Sequence, residues 1–261
     1  MLNNKIILIT GATSGIGEAC AHLFAAQGAK LLLCARRTNL LTSLTKKLRD
    51  AFHVDIHTVS LDVRDREQVK QQLSTLPTEW KSIDILLNNA GLAAGLESMN
   101  EANIDDWEAM IDTNVKGLLF VTRALLPQMV EKKSGHIINI GSISGHQVYP
   151  RGGVYCATKF AVKALSQGLR MDLLGTNIRV TTISPGAVET NFSNVRFKGD
   201  TAKAVAVYEG WTPLQAEDIA DTVLFAATRK PHVNIDEILV MPTAQAAAGM
   251  IVKQTTDHST H

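Results

Sequence analysis

The chain has 261 residues, of which 45% are hydrophobic and 20% charged, and these proportions exclude a wholly disordered protein. Its 26 basic and 25 acidic residues leave a net charge of +1, which offers no electrostatic footprint for nucleic acid or an anionic membrane. Three cysteines cannot build a disulfide framework, and no apolar run reaches the roughly 18 residues of a membrane span. With no secretory signal visible either, we expect a cytoplasmic protein without nucleic-acid or membrane partners.

Short apolar runs alternate with longer amphipathic stretches along the chain. Seven runs with the composition of buried parallel strands are residues 5–10, 30–35, 54–61, 83–87, 136–140, 179–183 and 237–240. Helical periodicity fills residues 15–27, 40–50, 66–76, 104–130, 155–174 and 216–227. This alternation predicts a single-domain α/β fold of the Rossmann type, in which helices cover both faces of a doubly wound parallel sheet of about seven strands.

We expect residues 1–245 to form one dinucleotide-binding and catalytic domain and residues 246–261 to form a C-terminal tail. Within the domain, residues from about 186 to 212 are irregular and lie between the sixth and seventh predicted strands. A connection of this length at this place is typical of a lid or substrate loop.

A glycine-rich turn joins the first predicted strand to the first predicted helix. Such a turn lets backbone approach a pyrophosphate, and the helix supplies free N–H groups and the positive end of its dipole. The alternative is a glycine-rich turn that binds nothing. The spacing Gly-x3-Gly-x-Gly differs from the Gly-x-Gly-x-x-Gly of the commonest dinucleotide fingerprint. The cofactor contacts predicted here are Gly11, Thr13, Ser14, Gly15, Ile16 and Gly17.

The end of the second predicted strand indicates which dinucleotide is bound. In this fold an acidic residue at that place binds the ribose 2′-hydroxyl of NAD, and an arginine suits the 2′-phosphate of NADP. Ala35 stands at the strand end and is followed by Arg36 and Arg37. Guanidinium groups make charge-assisted bonds to phosphate, so we predict NADP as cofactor. The alternative is a pair of solvated arginines that begin a helix.

Three side chains form a candidate catalytic set. Tyr155 and Lys159 are four residues apart in a helical pattern and therefore share a helix face. Ser142 follows the fifth predicted strand, and Ser144 is a rival hydroxyl. A phenol is a poor base at neutral pH, but a neighbouring Lys⁺ stabilises phenolate and lowers its pKa. A serine hydroxyl can bond a substrate oxygen while charge develops on it.

These motifs, in this order, resemble the short-chain dehydrogenase/reductase family over residues 5–243. The resemblance implies that Tyr155 is the general acid/base, that Lys159 also holds the nicotinamide ribose, and that Ser142 orients the substrate oxygen. It implies that Asn114 anchors a water in a proton relay. It also implies a homotetramer, formed through the helices of residues 104–130 and 155–174.

The same resemblance implies further cofactor contacts. They are Asp62, Val63, Asn88, Ala90, Gly91, Pro185, Gly186, Val188 and Thr190. Asp62 and Val63 fit equally well as an ordinary turn before a helix, so the two interpretations of that pair stay open.

The C-terminal part of the sequence indicates the class of substrate. Residues 231–235 read Pro-His-Val-Asn-Ile and residues 241–245 read Met-Pro-Thr-Ala-Gln, which resembles the NADP-dependent 3-hydroxy acid (serine-type) dehydrogenase branch. A small 3-hydroxy acid such as serine or 3-hydroxyisobutyrate is the substrate that this implies. The alternatives are a broad NADPH-dependent reductase of ketones or quinones, and a non-catalytic NADP sensor.

A hydroxy acid needs a group that holds its carboxylate. Arg151, four residues before Tyr155, is the first candidate, although a solvated loop arginine is the commoner role for such a residue. Arg196 and Lys198 are weaker candidates. No metal is expected, since His53 and His57 lack the glutamate of a metalloprotease motif.

Overall fold

A seven-stranded parallel sheet forms the centre of the structure, a computed structural model that describes residues 2–253. Its strands are β1 (Ile6–Thr10), β2 (Lys30–Ala35), β3 (Ile56–Ser60), β4 (Ile85–Asn88), β5 (Gly135–Ile140), β6 (Ile178–Pro185) and β7 (Glu237–Val240). They lie in the order β3-β2-β1-β4-β5-β6-β7, and every neighbouring pair is parallel. The predicted seven-stranded, doubly wound sheet is confirmed.

Helices cover both faces of this sheet. They are α1 (Gly15–Ala26), α2 (Thr38–Phe52), α3 (Arg66–Ser74), α4 (Ile104–Ile111), α5 (Leu118–Glu131), α6 (Gly153–Asp172), α7 (Phe192–Arg196), α8 (Thr201–Ala206) and α9 (Ala216–Ala227). Alternate strand residues feed two hydrophobic cores, because successive side chains of a strand point to opposite faces. Ile7 and Ile9 pack on the side of α1, α2 and α9, and Ile6 and Leu8 pack on the side of α3 and α5. None of the helices within residues 2–253 has the length and apolarity needed to cross a membrane.

The order of the strands reverses direction between β1 and β4, since the chain winds outward from β1 to β3 and then returns to add β4 on the other side. In open α/β sheets the crevice outside the carboxyl ends of the strands at such a point is where ligands bind. The glycine turn after β1 and the Asn-Asn-Ala-Gly segment after β4 therefore meet at this crevice.

The predicted helix over residues 104–130 is interrupted in the structure. A π-helical turn, Asp112–Gly117, separates α4 from α5. Gly117 packs against Val63 so closely that a Cβ at this glycine would lie 2.6 Å from a Val63 methyl carbon. The wider turn carries Asn114, and π turns of this kind are frequent at functional sites.

Side chains of the two C-terminal motifs, residues 231–235 and 241–245, form hydrogen bonds with the backbone of β6 and of the residues that follow it. The Asn234 side chain accepts a hydrogen bond from the Val180 N–H (2.7 Å) and donates one to the Val180 carbonyl (3.1 Å), so it pairs with β6 as a strand residue would. The buried Gln245 carboxamide oxygen accepts from the Ala187 N–H (2.8 Å), just after β6 ends. These contacts give both motifs a structural reason that is independent of any substrate.

Two regions hold elements that periodicity did not predict. The irregular residues 186–212 contain the short helices α7 and α8. The first part of the expected tail forms an antiparallel ribbon of β8 (Gln245–Ala247) and β9 (Met250–Ile251). Residues 254–261 of that tail lie outside the described residues.

A ladder of buried amides and hydroxyls crosses the sheet beside the crevice. The Asn88 amide donates to the Asn139 side-chain oxygen and to the Thr122 hydroxyl, both at 2.9 Å. The Asn139 amide donates in turn to the Ser166 hydroxyl at 2.8 Å. Asn139 is fully buried, so none of its bonds can be replaced by bulk water.

Replacing Asn139 by alanine should therefore lower the free energy of unfolding by about 2–4 kcal/mol, because it leaves a void and removes partners from buried polar groups. Urea denaturation followed by circular dichroism measures the change. Asn100→Ala is the control, since Asn100 is exposed and should change stability by less than about 0.5 kcal/mol. A loss below about 1 kcal/mol for Asn139→Ala would contradict the ladder's contribution to stability.

Candidate active site

A cleft of about 340 Å³ opens at the carboxyl ends of β1, β2, β4, β5 and β6. All the site residues predicted from the sequence line it except Gly17, Asn88 and Asn114. The predicted residues on its wall are Gly11, Thr13, Ser14, Gly15, Ile16, Arg36, Arg37, Asp62, Val63, Ala90, Gly91, Ser142, Tyr155, Lys159, Pro185, Gly186, Val188 and Thr190.

The glycine turn between β1 and α1 lies at one end of the cleft. Gly11 (φ +64°) and Gly15 (φ +54°) both adopt the left-handed conformation, which other residues rarely adopt. Gly17 lies behind the turn rather than on the cleft wall, and a Cβ there would come within 2.5 Å of the Gly11 carbonyl oxygen. Ser14 precedes α1 but makes no side-chain capping bond, so its hydroxyl does not occupy the free N–H groups of the helix N-terminus. The turn is thus shaped to hold an anion against backbone N–H groups.

Asn89 is a cleft residue that the sequence analysis missed. Its amide donates to the carbonyl oxygens of Thr10 (2.9 Å) and Gly11 (3.1 Å), which fastens the glycine turn to the end of β4. Asn88 was predicted instead, and the structure differs: Asn88 is buried among sheet residues and does not line the cleft. Consecutive residues of an extended chain point to opposite sides, so only one of the two asparagines can face the crevice.

The two arginines after β2 lie at the mouth of the cleft. Arg37 donates to the hydroxyls of Thr13 (3.2 Å) and Ser14 (3.3 Å) and so reaches the glycine turn. Arg36 is exposed on the cleft wall. Two guanidinium groups beside the N-terminus of α1 give this end of the cleft a positive potential.

Asp62 belongs to the turn before α3, and its expected contact with the cofactor stays a prediction. It lines the cleft, and its carbonyl accepts a bond from the Asp65 N–H that begins the turn into α3. Hydrogen bonds from the Arg64 side chain, the closest at 2.7 Å, hold the pKa of this carboxyl below its usual range, with a smaller contribution from the charge of Arg36. The carboxylate is therefore engaged by Arg64, while Val63 packs beneath it against Gly117.

Tyr155 and Lys159 lie one turn apart near the start of α6, and both are more than 90% buried. The Lys159 ammonium donates to the Ile140 carbonyl (2.9 Å) and lies 5.9 Å from the centre of the Tyr155 ring. Because burial disfavours the charged form, the pKa of Lys159 falls to about 8.

The phenol of Tyr155 is also perturbed by its surroundings. Burial raises the pKa of Tyr155, while the positive charge of Arg196 and the Ser142 hydroxyl lower it. The sequence analysis expected Lys159 to supply that positive charge, but the charge that lowers this pKa in the structure is that of Arg196. Ser142 lines the cleft and accepts a bond from the Ser144 N–H (3.1 Å), which places Ser142 rather than Ser144 on the wall.

Asn114 lies behind the cleft wall and ties three segments together. Its amide donates to the Leu92 carbonyl (2.8 Å) and to the Thr158 hydroxyl (3.0 Å), and its side-chain oxygen accepts from the Leu92 N–H (2.8 Å). The π turn thus anchors the segment after β4 to α6, just before Lys159. The expected role of Asn114 in a water relay stays a prediction.

The arginines proposed for a carboxylate are placed differently from their predicted order. Arg196, at the end of α7, donates to the Tyr149 hydroxyl (2.7 Å) and stacks within 5.1 Å of the Tyr155 ring centre. Arg151 is exposed, and Lys198 forms a salt bridge with Asp106 (2.8 Å). Arg196 is therefore the basic group that contacts the buried tyrosine.

Two further groups bear on what the site can hold. The Thr113 hydroxyl, on the cleft wall, is buried and has no hydrogen-bond partner among residues 2–253. Across the same described residues, no group of three or more His, Cys, Asp and Glu is arranged to bind a metal.

Comparison with known proteins agrees with this geometry. Residues 5–200 match the family model described as short chain dehydrogenase. The chain is 49% identical to the NADP-dependent 3-hydroxy acid dehydrogenase of Shigella flexneri, over 95% of this chain and 98% of that protein. It is 48% identical to a sulfoacetaldehyde reductase of Chromohalobacter salexigens, over 92% of this chain and 94% of that one.

A solved structure also resembles this one closely. The closed form of serine dehydrogenase complexed with NADP⁺ superimposes with a TM-score of 0.89 at 48% identity, covering 95% of this chain and 99% of that one. The serine dehydrogenase of Escherichia coli gives a TM-score of 0.80 at 44% identity, over 92% and 99% of the two chains.

The buried Lys159 ammonium predicts a pH-dependent change in stability. Below about pH 8 the lysine is charged in both the folded and unfolded states, so the folded state bears the full cost of burying the charge. Between about pH 8 and pH 10.5 the folded protein releases this proton while the unfolded chain keeps it, and the cost disappears.

Lys159→Met should therefore raise the free energy of unfolding at pH 7 by up to about 3 kcal/mol, and this gain should shrink as the pH rises towards 10.5. Urea denaturation of both proteins at a series of pH values, without added ligand, measures the difference. Since every other titrating group is common to the two proteins, their difference isolates Lys159. A difference that stays constant from pH 7 to pH 10 would show that the lysine pKa is not lowered.

Proposed function

This chain belongs to the short-chain dehydrogenase family, and from that premise we propose that it is an NADP(H)-dependent oxidoreductase acting on the CH–OH group of a 3-hydroxy acid. The single observation that carries the proposal is the placement of Tyr155, Ser142 and Lys159 on one wall of a cleft whose other end has a glycine turn and two arginines. NADP(H) would supply or accept the hydride there.

The residues of the cleft fit this cofactor. Gly11 and Gly15 hold the turn in a left-handed conformation that suits backbone approach to a pyrophosphate at the N-terminus of α1, and a Cβ at either would lie 3.0–3.1 Å from Ala90 or Thr190. Arg36 and Arg37 suit the 2′-phosphate, because Ala35 brings no carboxylate to the same place. The unpartnered Thr113 hydroxyl lies further along the same wall.

The remaining predicted cofactor contacts follow the wall of the cleft from the adenosine end to the nicotinamide end. Asp62 and Val63 would border the adenine, and Ala90 and Gly91 the central part. Asn89 takes the place that the sequence analysis gave to Asn88. The end of β6 and the segment after it, which include Pro185, Gly186, Val188 and Thr190, would border the nicotinamide.

In this proposal each catalytic side chain handles one part of a proton transfer. Tyr155 takes the proton of the substrate hydroxyl during oxidation and returns it during reduction. Ser142 donates a hydrogen bond to the same oxygen. Lys159 holds positive charge beside the phenol and would bond the nicotinamide ribose, and Asn114 would hold the water that leads the proton outward.

The substrate is proposed from the relatives. Those named 3-hydroxy acid dehydrogenase and serine dehydrogenase act on small β-hydroxy acids, and we propose the same class for this chain. Turnover confined to neutral ketones would favour the broader carbonyl reductase. A sensor that only binds NADP is disfavoured because both Tyr155 and Lys159 are kept.

The wider organisation of the protein is also a proposal. Residues 1–245 would act as one dinucleotide-binding and catalytic unit. A homotetramer is supported by apolar side chains exposed on α5 and α6, among them Leu119 and Phe160. A cytoplasmic location is supported by Cys20, Cys34 and Cys156, which are buried and free of disulfides.

Tyr155→Phe tests the reaction. Removing the hydroxyl should lower kcat for oxidation of 3-hydroxyisobutyrate or serine with NADP⁺ by about 10²–10⁴-fold, since no other group is placed to take the proton. NADPH formation followed by absorbance measures the rate. Tyr208→Phe is the matched control, because Tyr208 does not line the cleft, although its phenol bonds to the Val188 carbonyl and the Ser193 hydroxyl, and this variant should retain at least about a tenth of the rate. Equal rates for wild type and Tyr155→Phe would overturn the proposed chemistry.

Arg36→Ala tests the choice of cofactor. The loss of a charged partner for the 2′-phosphate should weaken NADP binding by about 1.5–3 kcal/mol and NAD binding far less. Fluorescence titration with each dinucleotide gives the two dissociation constants, and Arg123→Ala, on the exposed face of α5, is the control for loss of charge. An equal loss for NADP and NAD would contradict the assignment of Arg36.

A further inference from the structure

The guanidinium of Arg196 lacks a charged partner. Its one hydrogen bond joins Nη2 to the Tyr149 hydroxyl (2.7 Å), while Nε is buried and has no partner within residues 2–253. No salt bridge found in that part of the chain includes Arg196. A partly buried charge in this situation is costly unless something pairs with it.

The neighbouring carboxylates do not neutralise it. Asp106 is bound to Lys198 at 2.8 Å, and Glu97 is exposed and accepts a bond from the Leu96 N–H. The surroundings of Arg196 therefore hold its position without removing its charge.

Aromatic rings fix where the guanidinium lies. Its central carbon is 5.1 Å from the ring centre of Tyr155, 5.3 Å from that of Phe192 and 5.8 Å from that of Tyr149. The Arg196 carbonyl also accepts a bond from the Gly95 N–H (2.9 Å), which ties the end of α7 to the segment after β4. Cation–π contacts and these bonds leave the guanidinium little freedom to turn away from Tyr155.

A second, small cavity borders both Tyr155 and Arg196. It measures about 20 Å³, and its walls include Tyr155, Arg196, Gly95, Trp107 and Met110. That volume holds about one small polar group. Tyr155 thus borders both the cofactor cleft and this cavity, whose charged walls are Arg196, Arg151, Glu97 and the Asp106 carboxylate that pairs with Lys198.

We propose that Arg196 binds the acid group of the substrate and makes the site specific for short hydroxy acids. The inference rests on the proposed function, because it takes Tyr155 as the group that meets the substrate hydroxyl. A planar guanidinium donates in parallel to two oxygens of one anion, and a carboxylate or a sulfonate would fit. Because the guanidinium lies 5.1 Å from the ring centre of Tyr155, we expect a short substrate, with its acid group two bonds from the carbinol carbon.

Arg151 is the rival for this role. It also borders the small cavity, but it is exposed and adopts φ +64° in the loop before α6. A solvated guanidinium gains less from an anion than a partly buried one, since water screens the pair. The test therefore includes both arginines.

Matched substrates separate recognition of the acid from the chemistry. We compare 3-hydroxypropionate, 2-hydroxyethanesulfonate and the neutral isostere 3-hydroxypropanamide with NADP⁺, for wild type and for Arg196→Gln. The variant should lose about 10- to 100-fold in kcat/KM for the anions and less than about 5-fold for the amide. The ratio of acid to amide removes any general loss of activity that both substrates share, and the binding measurement below excludes effects that act on turnover through the pKa of Tyr155.

Two variants serve as comparisons. Arg196→Lys keeps the positive charge but loses the paired N–H donors of the guanidinium, so it should show part of the preference for the acid that Arg196→Gln loses. Arg66→Gln removes a charge on exposed α3 and should leave the ratio unchanged. An unchanged ratio in Arg196→Gln, or a collapse of the ratio in Arg151→Gln instead, would overturn the proposal.

Binding gives an answer that does not depend on turnover. Calorimetric titration of 3-hydroxypropionate into protein saturated with NADPH measures affinity where no hydride transfer can occur, since both partners are reduced. Binding of the acid that weakens at least about 10-fold in Arg196→Gln supports the anion site even if no oxidation is seen, and then only the proposed function fails. Equal binding of acid and amide by the wild type would overturn the anion site itself.

Discussion

The hydrogen bonds between β1 and β4 at their carboxyl ends are the contacts on which the site depends. The buried Thr10 hydroxyl accepts bonds from the N–H groups of Asn89 and Ala90, both at 3.0 Å, and the Asn89 amide holds the Thr10 and Gly11 carbonyls. These two strands are neighbours in space although they are distant in sequence, and the strand order reverses between them. The bonds keep the crevice at its width and hold the glycine turn in the conformation that leaves its N–H groups free.

Around Tyr155, the protonation of the site depends on the cost of burying ionisable groups. Tyr155, Lys159 and Arg196 bring a phenol and two cations into a region with little access to water. Burial raises the pKa of the phenol and lowers that of the lysine, so each shift alone would oppose phenolate formation. The charge of Arg196 and the Ser142 hydroxyl lower the pKa of the phenol and so act in the opposite sense. Stability and chemistry are therefore in conflict at Lys159, as is common where a strained or charged site is kept for function.

The sequence predicted the features that depend on local spacing, and it missed those that depend on contacts between distant residues. The strands, the glycine turn and the Tyr155–Lys159 pair depend on local spacing, and the fold and family predicted from them are confirmed. The choice between Asn88 and Asn89 depends on where β4 ends, and a shift of one residue reverses which side chain faces the crevice. The π turn at Asp112–Gly117 was not predicted, and the close approach of Gly117 to Val63 that accompanies it joins residues more than fifty positions apart.

Arg196 shows a different limit of sequence analysis. It follows a segment without clear periodicity, and its surroundings come from Tyr149, Tyr155 and Phe192, which only the tertiary structure brings around it. Arg151 is nearer to Tyr155 in sequence, yet it is solvated because its loop turns outward. The sequence analysis ranked Arg151 above Arg196 because Arg151 is closer to Tyr155 along the chain, but Arg196 is the more buried of the two.

The inferred anion site has a consequence for the direction of proton transfer. The charge of Arg196 lowers the pKa of Tyr155, so an acid group bound to Arg196 would offset that charge and raise the pKa again. A raised pKa favours the neutral phenol, which is the form that donates a proton when a carbonyl is reduced. Oxidation needs phenolate, and with Arg196 occupied the stabilisation of phenolate falls to Lys159 and the Ser142 hydroxyl. Arg196 would therefore both select the substrate and adjust the pKa of Tyr155, because its charge lies beside the acid group of the substrate and beside the phenol.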